Sequence, residues 1–321
     1  MSLGGRVLVT GGAGFIGSTL VDRLLAEGCS VDVVDDLSSG RLSNLAEARA
    51  SAARRFSFNQ MDIRSPDLAE LMGRREYRAV YHLAAQTDVR AAVARPAFDA
   101  AVNVLGSLNV LEACRVAGVG RVVYAASGGT LYGEPDVSAM PLTEASPRRP
   151  LSPYGVSKGA VLDYLDTYHH LYGIAYVALA LANVYGPRQD SLGEAGVVSI
   201  FAGHLVAAEP CTIYGDGSQT RDFVYVDDVV DAFARAGDSE VGGLVCNIGT
   251  GTETSVTALY EIMARLAGPP RPPTLAPARP GELARSCLNP ALAAARLGWV
   301  PWTRLPDGAA AVLEAAWGGR V

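Results

Sequence analysis

Arg6-Val7-Leu8-Val9-Thr10-Gly11-Gly12-Ala13-Gly14-Phe15-Ile16-Gly17 is the stretch whose reading decides the fold. A short β-branched run ends in a glycine turn, and an apolar-periodic stretch, Phe15–Glu27, starts directly after it. Gly11, Gly14 and Gly17 recur every third residue where a strand passes into a helix. Missing side chains there permit a tight turn, close approach of a pyrophosphate to backbone N–H groups, and close packing of helix on sheet. The helix then turns the positive end of its dipole toward the phosphates. The spacing is G-x-x-G-x-x-G and not the commoner G-x-G-x-x-G. Glycines alone also occur in plain turns, so it is the position between a first strand and a first helix that favours dinucleotide binding.

Outward from this turn, the first half of the chain alternates strands and helices. Arg6–Thr10, Ser30–Asp35, Phe56–Gln60, Ala79–Leu83 and Arg121–Ala126 are nearly continuous apolar runs, as strands covered on both faces are. Helices are predicted at Phe15–Glu27, Pro66–Met72 and Pro96–Ala117. Another follows at Pro153–Tyr172, with Pro153 in its first turn, and then a strand at Ala175–Leu181. This order predicts an α/β fold, a doubly wound parallel sheet of the Rossmann kind. After Asn183 the loops lengthen, and residues 268–280 hold six prolines, read as a rigid loop. Helical patches persist at Val197–Ala208, Val226–Ala236, Val256–Ala267 and Leu305–Trp317. Residues 1–182 are therefore expected to form the dinucleotide-binding domain, with part of the later chain returning to it. Residues 183–321 are expected to form mainly a smaller C-terminal substrate-binding lobe.

The composition narrows the function. A chain of 321 residues, 49% hydrophobic, buries a sizeable core and is not disordered. A net charge of -6 argues against a general nucleic-acid binder. No apolar run reaches the roughly 18 residues of a membrane span, and the N-terminus lacks a signal-peptide layout. Cys29, Cys114, Cys211, Cys246 and Cys287 are odd in number and show no C-x-x-C pair, which reads as free thiols in a reducing cytoplasm. His82, His169, His170 and His204 have no metal-ligand spacing, so no metal is expected. Of the 27 basic residues, 26 are Arg, and the one Lys is Lys158. In an otherwise Arg-only chain, that position marks a place where a compact charge with an adjustable pKa is needed.

Asp35 closes the second predicted strand. A carboxylate there accepts the adenosine ribose hydroxyls and repels a 2′-phosphate, and with Asp36 following instead of Arg, NAD is favoured over NADP. Asp62 closes the third strand, within reach of an adenine amino group. Tyr154-Gly155-Val156-Ser157-Lys158 puts Tyr154 and Lys158 on one helix face. An ammonium beside a phenol that normally titrates near ~10, together with the positive nicotinamide ring of NAD+, favours phenolate, which then acts as general base on a sugar or alcohol hydroxyl. Y-x-x-x-K alone is a common accident. Here it follows a glycine turn and a strand ending in Ser127, a hydroxyl able to share the substrate's proton.

With these motifs, His-Leu-Ala-Ala-Gln (82–86), Ser-Gly-Gly-Thr-Leu-Tyr-Gly-Glu (127–134) and Asn-Val-Tyr-Gly-Pro-Arg (183–188), the chain resembles the extended short-chain dehydrogenase/reductases over essentially its whole length. Within them it is most similar to the UDP-glucose 4-epimerase group. The resemblance implies an NAD shell of Gly11, Gly14, Phe15, Ile16, Gly17, Asp35, Asp36, Asp62, Ile63, Leu83, Ala84, Ala85, Gln86, Asn103 and Lys158. It implies Tyr154 as general base with Lys158 as its partner, and UDP contacts from Asn183, Arg221 and the pair Arg279/Glu282. A homodimer through Pro96–Ala117 and Pro153–Tyr172 is implied in the same way.

One departure stands out. Many epimerases place the catalytic Ser or Thr four residues before the Tyr of the Tyr-Gly pair, and here that position is Gly128, with Ser127 one residue earlier and Thr130 two later. The same stretch lacks the acid found in 4,6-dehydratases and in UDP-glucuronate decarboxylases; Gly129 and Thr130 stand there. The expectation is an NAD-dependent UDP-hexose 4-epimerase: Tyr154 takes the O4 proton, C4 is oxidised to a ketone, and the ketone is reduced again on its other face. UDP-glucose/UDP-galactose is the default pair. Ser286 occupies a place where a small residue would admit UDP-GlcNAc, and Arg188 is a candidate for the carboxylate of UDP-glucuronate. The alternatives are a UDP-glucuronate decarboxylase or other nucleotide-sugar oxidoreductase or lyase, and a non-catalytic NAD-binding protein.

Overall fold

The computed structural model describes residues 4–134, 137–190, 196–268, 272–279 and 283–318. Seven parallel strands form one sheet: β1 Arg6–Thr10, β2 Ser30–Asp35, β3 Phe56–Gln60, β4 Ala79–His82, β5 Arg121–Ser127, β6 Ala175–Leu181 and β7 Leu244–Ile248, in the order β7-β6-β5-β4-β1-β2-β3. Side chains of successive strand residues enter opposite layers. Val7, Val9, Val31, Val33, Tyr81, Val123, Val177 and Leu179 share one buried cluster. Leu8, Val80, Val122, Tyr124, Tyr176 and Ala178 share the other. Both faces are covered, which is why these strands read as unbroken apolar runs.

The first layer is built by helices α1 Phe15–Ala26 and α6 Val226–Asp238, and the second by α2 Asp67–Gly73, α3 Pro96–Ala117 and α4 Pro153–Tyr172. α3 contains a π-helical turn at Ala101–Leu105. Its length and composition are those of a membrane-crossing helix, which the sequence reading did not find. In this fold it is a layer helix: Asp99, Asn103 and Ser107 on its inner side are buried and hydrogen-bonded within the protein. α4 starts where the Ser152 hydroxyl accepts from the Gly155 N–H with Pro153 in the first turn, and stops at Gly173, whose φ of 70° ends the right-handed run.

Two sequence expectations need correction. β3 is the sheet's edge, so none of its residues is fully buried. β7 was not foreseen at all: Leu-Val-Cys-Asn-Ile lies in the loop-rich half between glycines, yet it returns to pair with β6. A third cluster, around Phe201, Tyr260, Met263 and Leu313, forms where α5 Val197–Ala207, α7 Val256–Ala267 and α8 Leu305–Gly318 pack together beyond the sheet. Thr274–Ala276, within the Pro-rich stretch, is a strand on Thr212–Tyr214.

Candidate active site

The strand order reverses between β1 and β4, and the glycine turn lies in the crevice that this reversal opens. Gly11 has a φ of 71°, and a Cβ on it would meet the Ala84 backbone N at 2.6 Å. A Cβ on Gly17 would meet the Gly11 carbonyl oxygen at 2.1 Å. Both glycines are therefore required by the close passage of turn, helix and β4. Helix α1 begins at Gly14 without a side-chain cap and with no acid in its first turn, which leaves its first N–H groups facing the crevice mouth.

Asp35 lies at the end of β2. Its Oδ2 accepts from the Ala13 N–H at 2.9 Å and its Oδ1 from the Leu37 N–H at 2.8 Å. Burial still raises its pKa above the usual carboxylate range, against these two bonds, because it is withdrawn from water and has Asp36 as neighbour. It is a buried acceptor with capacity for further donors. Asp36 is turned outward and accepts from the N–H and hydroxyl of Ser38. Asp62 is held by Arg64, whose hydrogen bonds and charge lower its pKa. Ile63 is buried beside it against Gly106.

Beyond β4, Leu83 to Gln86 line the crevice wall. A directed hydrogen-bond chain fixes the end of β4. The Ala84 N–H donates to Thr10 Oγ1, and Thr10 lies 2.7 Å from His82 Nδ1. His82 Nε2 lies 2.8 Å from Ser107 Oγ, which donates to the Asn103 carbonyl. Since Ser107 spends its proton on Asn103, His82 carries its proton on Nε2 and accepts from Thr10 on Nδ1. Burial, aided by the Lys158 charge, drives its pKa down to about 3, so it stays neutral. The Asn103 side chain is also spent within the protein: it accepts from the Gln86 N–H and donates to Gln86 O and Asp99 Oδ1. It shapes the 86-loop instead of presenting an open amide.

Tyr154 and Lys158 face the same crevice from α4. Both are buried. Lys158 Nζ donates to the Ala125 carbonyl at 3.0 Å and sits over the rings of Tyr124 (4.9 Å) and Tyr154 (5.8 Å). Burial lowers its pKa to about 8, with Asp99 pulling the other way. Tyr154 is pushed up to about 12, first by burial and then by Asp99, while a hydrogen bond with Ser127 lowers it. Among the protein's own groups, burial is the largest influence on this phenol.

Ser127 ends β5 and is the hydroxyl that meets Tyr154. Thr130 instead donates to the Ser127 carbonyl at 3.4 Å. Position 128 points into the protein, where a Cβ would meet the Leu288 side chain at 2.4 Å and the Ala180 carbonyl at 3.0 Å. A side chain at 128 would therefore collide with its neighbours, and the position takes glycine.

A cleft of about 350 Å³ opens from Ser127 toward the second lobe, lined among others by Thr130, Leu151, Asn183, Arg221 and Ser286. None of the described residues lining it is Asp or Glu. A second depression of about 370 Å³ lies at the β3 edge by Arg49, Phe56 and Phe58, away from all of this chemistry. Arg279 stacks its guanidinium on the Tyr214 ring at 3.8 Å. Glu282 lies outside the described residues. Arg188 does not line the cleft: it pairs with Asp22 on α1 at 2.7 Å and approaches Glu47 at 3.8 Å. Asp22 and Glu47 give its charge partners outside the cleft. Asp99 and Ser157, buried behind Lys158, were missed by the sequence reading.

A sequence model of the NAD dependent epimerase/dehydratase family matches residues 7–249. The chain belongs to this family. It is 50% identical over 309 residues to the UDP-glucose 4-epimerase of Mycolicibacterium smegmatis, covering 96% of this chain and 97% of that one. The fold matches the UDP-glucose 4-epimerase of Thermotoga maritima, solved with UDP-glucose, with a TM-score of 0.91 at 40% identity, covering 98% of this chain and 99% of that one. It also matches the Thermus thermophilus UDP-glucose 4-epimerase in complex with NAD, with a TM-score of 0.89 at 40% identity and the same coverage. The crevice suits the cofactor of an NAD dependent epimerase/dehydratase. Uncapped N–H groups of α1 face the place of a pyrophosphate, the two glycines leave no side chain in the way, and buried Asp35 retains acceptor capacity for ribose hydroxyls.

Proposed function

We propose that this chain is a UDP-hexose 4-epimerase, with UDP-glucose and UDP-galactose as its substrate pair. One observation carries the reading: Ser127 stands close enough to the Tyr154 phenol to lower its pKa, with Lys158 over the Tyr154 ring at 5.8 Å, beside a cleft whose described lining holds no acid. NAD, bound on the glycine turn and Asp35, supplies a reversible two-electron acceptor for C4. Tyr154 withdraws the O4 proton and returns it, Ser127 orients the same oxygen, and Lys158 supplies charge at the phenol. With no carboxylate among the described lining residues to drive elimination, the 4-ketosugar is re-reduced, and access to either face of the ketone inverts C4. Arg221, Arg279 and Asn183 would hold the diphosphate and uridine, as Arg charge and planar donors suit phosphate. The names of the most similar relatives support the glucose/galactose pair. The small Ser286 in the cleft leaves room for UDP-GlcNAc.

We further infer a cytoplasmic homodimer. Phe98, Leu105 and Val116 on α3 and Tyr164, Leu171 and Tyr172 on α4 are exposed, and all five cysteines are buried outside any disulfide. Sedimentation analysis tests the dimer. The activity test is interconversion of UDP-glucose and UDP-galactose by protein carrying its own NAD. Tyr154→Phe is expected to lose about 10²–10⁴-fold in kcat. Undiminished turnover by that variant overturns the reading, as does net release of NADH or of CO2 from UDP-glucuronate.

A further inference from the structure

Asp99 is fully buried on α3, and no step assigned above uses it. Three side chains from three elements hold it. Ser157 donates to Oδ2 at 2.6 Å, and Gln86 Nε2 and Asn103 Nδ2 donate to Oδ1 at 3.0 and 2.9 Å. Ser157 immediately precedes Lys158 on α4. An amide in place of the carboxylate could satisfy these neighbours, since a hydroxyl both donates and accepts, and it would avoid the desolvation cost of a buried acid. The hydrogen bonds therefore account for the shape of Asp99 but not for its charge.

We propose that Asp99 is a positioning residue for proton transfer: a fixed counter-charge behind the catalytic helix that keeps the positive charge on Lys158, the partner of Tyr154. In contact with Lys158 are Tyr154 on its own helix and Tyr124 and the Ala125 carbonyl on β5; its charge also couples to His82 on β4 and to Asp99 on α3, which is hydrogen-bonded to the preceding residue, Ser157. His82 is neutral and the two tyrosines hold their protons, so among the described groups Asp99 is the anion. Its field acts on both members of the pair in one direction, raising Lys158 and raising Tyr154. Removing it makes both give up their protons at lower pH.

The test uses the fact that Lys158 is the chain's one lysine. In full-length protein grown on lysine labelled with 13C at Cε, the side chain gives a single NMR signal whose shift follows its ionisation. This arm is independent of any activity. The companion arm rests on the epimerase reading and follows the pH profile of kcat/KM for UDP-glucose. Asp99→Asn is expected to lower the Lys158 midpoint by about one pH unit or more and to move the acid limb of the profile the same way. Asp99→Ser, which leaves room for a water, serves where the amide is not accommodated and is expected to do the same. Asp99→Glu retains the charge and Ser157→Ala breaks only the hydrogen bond, and both should keep the wild-type midpoint. An unmoved midpoint in Asp99→Asn or Asp99→Ser overturns the proposal, and so does an equal shift in Ser157→Ala. A shifted midpoint in protein that turns over no UDP-sugar sinks the epimerase reading alone.

Discussion

Lys158→Met is expected to stabilise the protein while disabling it. Burial takes Lys158 from 10.5 to about 8, which makes holding the ammonium inside the fold cost about 3 kcal/mol. Against this stand the bond to the Ala125 carbonyl and the contact with the Tyr124 ring, together about 1–2 kcal/mol. Methionine fills much of the same volume without charge, so the net gain is about 1–2 kcal/mol, or about 2–6 °C in Tm. The sign of the pH dependence follows from the folded pKa lying below the unfolded one. The penalty is full below about pH 8 and fades as pH rises toward 10.5, where the unfolded chain also loses the proton. The advantage of Lys158→Met in thermal unfolding should therefore be greatest near neutral pH and vanish in strong alkali, while kcat falls at least ~10²-fold. Lys158→Arg is the companion. A forked guanidinium in this cage should overpack it at about 1–3 kcal/mol and also lose most activity. Normal turnover by either variant, or a Lys158→Met Tm below wild type at all pH values, would refute the reasoning.

Gly17→Ala places a Cβ where the Gly11 carbonyl stands, and a strain of about 1–3 kcal/mol on the turn should weaken NAD binding about 10- to 100-fold by calorimetry; unchanged affinity would show that the turn opens freely. Arg188→Ala should cost about 0.5–1 kcal/mol of stability through Asp22 and leave the ratio of UDP-glucuronate to UDP-glucose turnover as in wild type; a selective loss on the glucuronate would put Arg188 in the site. Burial would raise Asp32, but hydrogen bonds from Ser57, Tyr77 and Arg75 and the charge of Arg6 hold it below the usual carboxylate range. Its stability contribution is present above about pH 4 and is lost as pH falls through the folded value. Asp32→Asn should therefore cost about 1–3 kcal/mol at pH 7, the guanidiniums being partly exposed, and flatten acid unfolding; an unchanged acid transition would contradict this.

The parts of the fold and site legible in the sequence are those encoded over a few residues. The glycine spacing, the i, i+4 pair of Tyr154 and Lys158, and the strand-closing Asp35 all declare themselves locally. β7 did not, because five residues between glycines carry no period, and only pairing with β6 makes them a strand. Asp99 was invisible because its meaning comes from Ser157, on another helix. The Asp22 partner of Arg188 was invisible for the same reason: only the fold brings it there. Tyr154 shows a different limit, for the sequence displays the neighbouring charge but not the depth of burial.

The return of α6 and β7 to the sheet makes the two halves of the chain inseparable. Asp231 on α6 pairs with Arg23 on α1 at 2.9 Å, and β7 closes the β6 edge. Asp228 at the start of α6 grips the far end of the chain, accepting from the N–H groups of Trp302 and Thr303 and from the Thr303 hydroxyl. A fragment cut at residue 182 would expose the apolar face that Val229, Val230 and Phe233 cover and would leave β6 as a bare edge. The lobes are interleaved pages and not hinged covers. Any motion that opened the chain at residue 182 would have to break the β6–β7 pairing and the Arg23–Asp231 contact.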